Sequence, residues 1–142
     1  AALALGAEGV WLGSVWLTAE EYRLEPQTAQ GMSVVQGKLI AATSSDTVRS
    51  RVVSGKPARM LKTAWTEAWD AAESPGTLPM PLQGMLVAEA EARIRQQQNQ
   101  ALLGVPVGQI VGSMNAIRPV QAIVDDLVRG YTEAVDAMVK AR

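Results

Sequence analysis

The sequence predicts an α/β chain, rich in helix, with one clear strand near its start. Three observations point there. Val10-Trp11-Leu12 is a short run of consecutive apolar residues stopped by Gly13-Ser14, the pattern of a strand buried on both faces. Val120, Val124, Leu127, Tyr131, Val135 and Met138 advance in steps of three or four and form one apolar helical stripe. Leu82–Leu103 is a second long stretch of good helix formers, stopped by Gly104-Val105-Pro106.

The other elements follow in chain order. Ala1–Leu5 reads as the last turns of a helix with Gly6 as its C-cap. Thr18-Ala19-Glu20-Glu21 has the capping-box spacing of a helix start. Pro26–Gly31 is a break, and Met32–Ala42 a helix with Met32, Val35, Leu39 and Ala42 near one face. Thr43–Asp46 is a turn cluster, Thr47–Val53 a weakly β-rich stretch, Ser54–Pro57 a turn and Ala58–Asp70 a helix. Ser74–Pro81 holds Pro75, Gly76, Pro79 and Pro81 and is expected to be irregular, whereas Pro119 suits the first position of the last helix. A lone buried strand leaves backbone groups unpaired, so Val10–Leu12 is expected to find its sheet neighbours outside this sequence. The chain begins without an initiator Met or a basic leader, and is expected to be part of a longer or split polypeptide.

Composition narrows the function classes. The chain has 142 residues, enough for one modest domain, with 48% hydrophobic and 19% charged residues, an ordinary globular balance. A net charge of -1 gives no reason to expect nucleic acid or an anionic membrane as partner. Cysteine and histidine are both absent, which removes thiolate chemistry, disulfides, the commonest general base and the commonest metal ligand. No apolar run approaches the roughly 20 residues of a membrane span, and a cytoplasmic location is expected.

The strongest candidate for chemistry is Gly9-Val10-Trp11-Leu12-Gly13-Ser14. A strand ending in Gly-Ser just before a helix suits phosphate: glycine allows close approach, exposed N–H groups and the hydroxyl donate to the anion, and the helix terminus adds a favourable dipole. An ordinary turn is the alternative. Trp65 and Trp69 stand at i and i+4, a packing pair or part of a substrate pocket. Lys56 and Arg59 lie on or beside a solvated turn within reach of an anion, and Gly108-Gln109 is a candidate approach to the same pocket. Asp125-Asp126 lacks metal-like spacing, and Glu89 and Glu91, two apart on a helix, do not converge for acid–base work.

Ala1–Glu21 resembles the seventh helix, eighth strand and following loop of nitronate monooxygenases, formerly 2-nitropropane dioxygenases. The Gly-Thr-Arg-Phe-Leu run frequent in that family stands here as Gly13-Ser14-Val15-Trp16-Leu17, keeping a hydroxyl and an aromatic but replacing Arg with Val15. Asp46–Arg51, Ser54–Arg59 and Gly108-Gln109 followed by Val111-Gly112 are similar to later family stretches, in the same order. The resemblance implies a TIM-type (β/α)8 barrel binding FMN, with residues 1–45 the end of the barrel and 46–142 a mostly helical cap. It implies that Trp11, Leu12, Gly13 and Ser14 bind the FMN phosphate. The catalytic histidine lies upstream in that family, so no catalytic residue is expected in this chain, and its functional partner is the missing N-terminal barrel portion. The implied substrates are a nitronate-like anion and dioxygen, giving a carbonyl product and nitrite. The alternatives are an FMN-dependent enoyl reductase of similar plan and a non-catalytic helical interaction domain.

Overall fold

The computed structural model describes residues 2–29 and 31–141. Ala1, Gln30 and Arg142, which fall in the expected first helix, the Pro26–Gly31 break and the end of the expected cap, lie outside the described residues. The fold is mixed α/β. Helix α1 spans Val34–Ala41, strands β1 and β2 span Thr47–Ser50 and Ala58–Leu61, and helices α2, α3 and α4 span Ala64–Asp70, Leu82–Gln96 and Val120–Lys140. Short 3-10 turns occupy Leu3–Leu5, Ser14–Thr18, Ser44–Asp46 and Gln109–Ser113.

Helix α1 organises the core because its first turn is closed from both sides. The Ser33 hydroxyl accepts from the Gln36 N–H at 3.1 Å, while the Gln36 side-chain carbonyl accepts from the Ser33 N–H at 3.0 Å. Val35 and Leu39 then point inward and meet Leu61, Leu103, Val107, Val111 and Met114. The core therefore joins α1 to β2 and to the chain on both sides of residue 108.

The hairpin corrects one expectation. Strand β1 pairs antiparallel with β2, from Thr47 opposite Leu61 to Ser50 opposite Ala58, so residues 58–61 are strand rather than the start of a helix. The reason is tertiary: β2 also binds the chain after α3, Leu61 N–H donating to the Val105 carbonyl at 3.1 Å and Val107 N–H to that of Arg59 at 3.0 Å. Those bonds outweigh the high helix propensity of Ala58, Arg59, Met60 and Leu61. Helix α2 starts only at the Thr63 cap, where Thr63 and Thr66 close a second reciprocal box.

Three further expectations are corrected. Val10–Leu12 is not a strand: it pairs with no strand among the described residues, and Val10 and Trp11 are 62% and 100% exposed. An extended segment without a neighbour cannot form a ladder. Thr18 ends a 3-10 turn instead of capping a helix, because Ala19 forms a parallel bridge with Arg118. Helix α3 stops at Gln96 rather than near 103, where the chain turns through Gln98 at φ 48°. Helix α4 begins one residue after Pro119, which stands just before it. Ser74–Pro81 carries no regular helix or strand, and Gly6 does close the Leu3–Leu5 turn, at φ 94°.

Two tests follow from this packing. Gly55 turns the hairpin at φ +82°, and a Cβ there would lie 2.4 Å from the Leu78 carbonyl oxygen and 2.7 Å from the Met80 nitrogen. Gly55→Ala is expected to destabilise by more than the roughly 1–3 kcal/mol that such a backbone conformation alone costs, seen as a lowered Tm. An unchanged Tm would mean that residues 78–80 yield freely. At the start of α4, hydrogen bonding from Arg118, with added attraction from Arg129, holds the Asp126 carboxyl below its ordinary range. A carboxylate pKa lowered on folding stabilises above the unfolded value, and that contribution is lost as pH falls through the folded one. Asp126→Asn should therefore reduce stability near neutrality, and the difference should shrink as pH falls below the ordinary carboxylate range and through the lowered pKa of the folded state. Parallel stability–pH curves for the two proteins would show that the pair contributes nothing.

Candidate functional site

Ser14 sits at the first position of the Ser14–Thr18 turn, and its hydroxyl oxygen accepts a hydrogen bond from the Gly108 N–H at 3.0 Å. The two segments singled out in the sequence, 94 residues apart, thus meet directly. Behind Ser14 the Trp16 indole N–H donates to the Leu12 carbonyl at 2.8 Å and fixes the bend between the extended segment and the turn. Among the described residues, no acceptor engages the N–H groups of Gly13 and Ser14 or the Ser14 hydroxyl proton. A Cβ on Gly13 would meet nothing within 4 Å, so the space before these donors is open. Free N–H groups, a hydroxyl proton and open space form a donor set that fits a phosphate.

The loop after Leu103 is tied to the N-terminal segment along its length. Arg118 N–H donates to the Thr18 carbonyl at 3.1 Å, and Glu20 N–H to the Arg118 carbonyl at 2.9 Å. The Glu21 carboxylate accepts from the Val120 N–H at 2.9 and 3.2 Å, capping α4 where its dipole favours negative charge. Gln36 donates from its side-chain amide to the Ala19 carbonyl at 2.9 Å. Beside this seam a cleft of about 310 Å³ is bounded by Val15, Thr18, Asn115, Arg118 and Leu127. Arg118 lines this cleft, but its guanidinium is engaged by Asp126 and the Ala122 carbonyl.

Sequence reasoning missed Glu21, Gln36, Ser44 and Arg118. Each acts on a partner far away in sequence or on a backbone atom, and no local spacing marks such a role.

The remaining candidates do not join the Ser14 wall. Arg59 donates to the Thr47 hydroxyl at 3.0 Å across the hairpin, and Lys56 is exposed on the turn. Trp65 and Trp69 pack edge to face with ring centres 5.9 Å apart. They lie on α2, where Trp65 lines a separate cavity with Glu91, whose carboxyl burial pushes up. Asp125 accepts from Gln121 at 2.8 Å and Glu89 pairs with Arg93. Among the described residues no group of three or more acidic, cysteine or histidine side chains could hold a metal ion, and no helix is long and apolar enough to cross a membrane.

Trp11 and Leu12 adjoin the wall without closing it: Trp11 is fully exposed, and Leu12 faces an open apolar groove with Val10. The opposite side of that groove is the α4 stripe, including Leu127, Tyr131 and Met138.

Comparison with known proteins gives the family. The model of the nitronate monooxygenase family matches residues 1–130. A "putative monooxygenase Rv1533" of Mycobacterium tuberculosis (strain ATCC 25618 / H37Rv) is 51% identical over 141 residues, covering 95% of this chain and 36% of that protein. A "probable nitronate monooxygenase" of Bacillus subtilis (strain 168) is 31% identical over 127 residues, covering 89% of this chain and 34% of that protein. The chain therefore spans about a third of the length of these curated relatives. No solved structure matches it significantly. With the family model covering most of the sequence, the chain belongs to the nitronate monooxygenase family.

Proposed function

We propose that this chain forms the phosphate-facing wall of the FMN site in an oxidoreductase that oxidises nitronates with dioxygen. Family membership supports an oxidoreductase of the monooxygenase type. The observation that carries the finer reading is the Ser14–Gly108 contact beside two N–H groups with no acceptor among the described residues. The Gly108 N–H occupies one lone pair of the Ser14 oxygen, which leaves the hydroxyl proton to donate to a phosphate oxygen. Gly13 and Ser14 N–H groups would supply the other donors, with Leu12 and Trp11 bordering them. When bound, FMN would supply the redox chemistry between the nitronate and dioxygen. The chain's own contribution in this reading is binding and orientation at the far end of the cofactor.

The apolar groove bears on the partner. Of the residues lining it, Leu3 and Val10 are exposed at 41% and 62%, and Leu127, Tyr131 and Met138 at 42%, 54% and 51%. Contiguous exposed apolar surface of this kind marks a contact face. In this reading it meets the remaining barrel strands and helices, which also provide the catalytic base and the flavin ring contacts.

Two measurements test the proposal. Ser14→Ala should weaken FMN binding to the intact apoprotein by about 1.5–3 kcal/mol, one charge-assisted hydrogen bond, and Gly13→Val should weaken it further by filling the open space. Wild-type affinity in both variants would remove the phosphate assignment. The 142-residue chain alone, supplied with FMN and a nitronate, should consume no oxygen above the protein-free control. Turnover by the chain alone would place the catalytic centre within it.

A further inference from the structure

We infer that Ser44 and Gly112 are positioning residues, which hold the Gly108-Gln109 turn so that the Gly108 N–H orients the Ser14 hydroxyl toward the flavin phosphate. The inference rests on the phosphate reading above and concerns residues that do not touch the phosphate themselves.

Ser44 stands in the turn that follows α1, and its hydroxyl donates to the Gln109 carbonyl at 2.7 Å. That carbonyl and the Gly108 N–H belong to neighbouring residues, so fixing one constrains the other. The turn carrying Ser44 is itself held at both ends. The Asp46 carboxylate accepts from the Thr43 N–H at 2.8 Å and from the Thr43 hydroxyl at 2.7 Å, and the Asp46 carbonyl accepts from the Lys62 N–H at 2.9 Å. Ser44 is thus anchored to the end of α1 and to the chain just after β2, both part of the core. From there one hydrogen bond reaches Gln109 and the next joins Gly108 to Ser14.

Gly112 makes this approach possible. A Cβ on it would lie 2.4 Å from the Ser44 oxygen and 2.9 Å from the Ser44 backbone nitrogen, distances no side chain tolerates. One neighbour is backbone, so the conflict cannot be relieved by a rotamer change. Any larger residue must push the Gln109–Ser113 turn away from Ser44, and with it the Gly108 N–H.

The test uses the full-length apoprotein titrated with FMN and with riboflavin, which has the same ring but no phosphate. Ser14→Ala should weaken FMN about tenfold or more and riboflavin hardly at all. Ser44→Ala should give the same selective pattern at roughly two- to tenfold, the scale of one neutral hydrogen bond. In the Ser14→Ala background the Ser44→Ala effect should vanish, because the two act in series. Gly112→Ala should reproduce the Ser44→Ala pattern; if that variant does not fold, Ser44→Ala carries the test by itself. Equal loss of FMN and riboflavin in Ser44→Ala, or a loss that persists undiminished in the double variant, overturns the positioning role. A selective loss in Ser14→Ala with Ser44→Ala silent overturns this inference alone. A silent Ser14→Ala overturns the phosphate reading and this inference with it.

Discussion

The backbone exchange between Thr18–Glu20 and Arg118 holds the rest of this structure in register. Two main-chain hydrogen bonds, at 2.9 and 3.1 Å, pin the N-terminal segment to the residue just before Pro119. The neighbouring contacts depend on that registration. Glu21 reaches the first N–H of α4, Gln36 reaches the Ala19 carbonyl, and Ser14 reaches Gly108. Shifting the pairing by one residue would move each of these polar groups off its partner, and Gln36 and Thr18 are buried where water cannot substitute. The core cluster around Leu39 supplies the favourable burial, while this seam decides which loops lie together.

The seam also sets the electrostatic character of the candidate site. The guanidinium of Arg118 is held by Asp126, which is shared with Arg129, so it is not offered to an anion. Val15 stands where the resemblance would have put an arginine. Recognition of a phosphate by this wall would therefore rest on uncharged donors, two N–H groups and one hydroxyl, rather than on an ion pair. Such a wall holds its geometry through backbone constraints, which is why tight glycine contacts such as Gly112 against Ser44 matter more here than side-chain charge.

What the sequence made legible was what local spacing encodes. The apolar stripe of α4, the cap at Gly6, the irregular proline-rich connector and the nomination of Ser14 and Gly108 all rest on residues close together in the chain. The contact between Ser14 and Gly108 was not legible, because nothing local records a bond across 94 positions. The strand at Ala58–Leu61 was hidden for the same reason: its residues are acceptable in a helix, and the pairing that decides against it comes from Thr47–Ser50 and Val105–Val107. Thr18-Ala19-Glu20-Glu21 carries a sound capping-box pattern whose carboxylate is instead spent on the N-terminus of a different helix. Val10–Leu12 keeps the apolar pattern of a strand but pairs with no strand among the described residues, and Val10 and Trp11 lie exposed.

The pairing of Ala19 with Arg118 means that everything between them leaves and returns at one point. Helices α1 to α3 and the hairpin form a closed excursion whose two ends are fixed side by side. The entropic cost of closing a chain segment rises only with the logarithm of its length, about 0.6 kcal/mol for each doubling. Residues far out on the excursion and free of tight contacts, such as the exposed Pro75-Gly76 turn, can therefore gain or lose length with little effect on how its ends meet. The spacing between Ser14 and Gly108 in space is insulated from their spacing in sequence, so divergence in chain length can accumulate in the excursion while the wall it brackets keeps its shape.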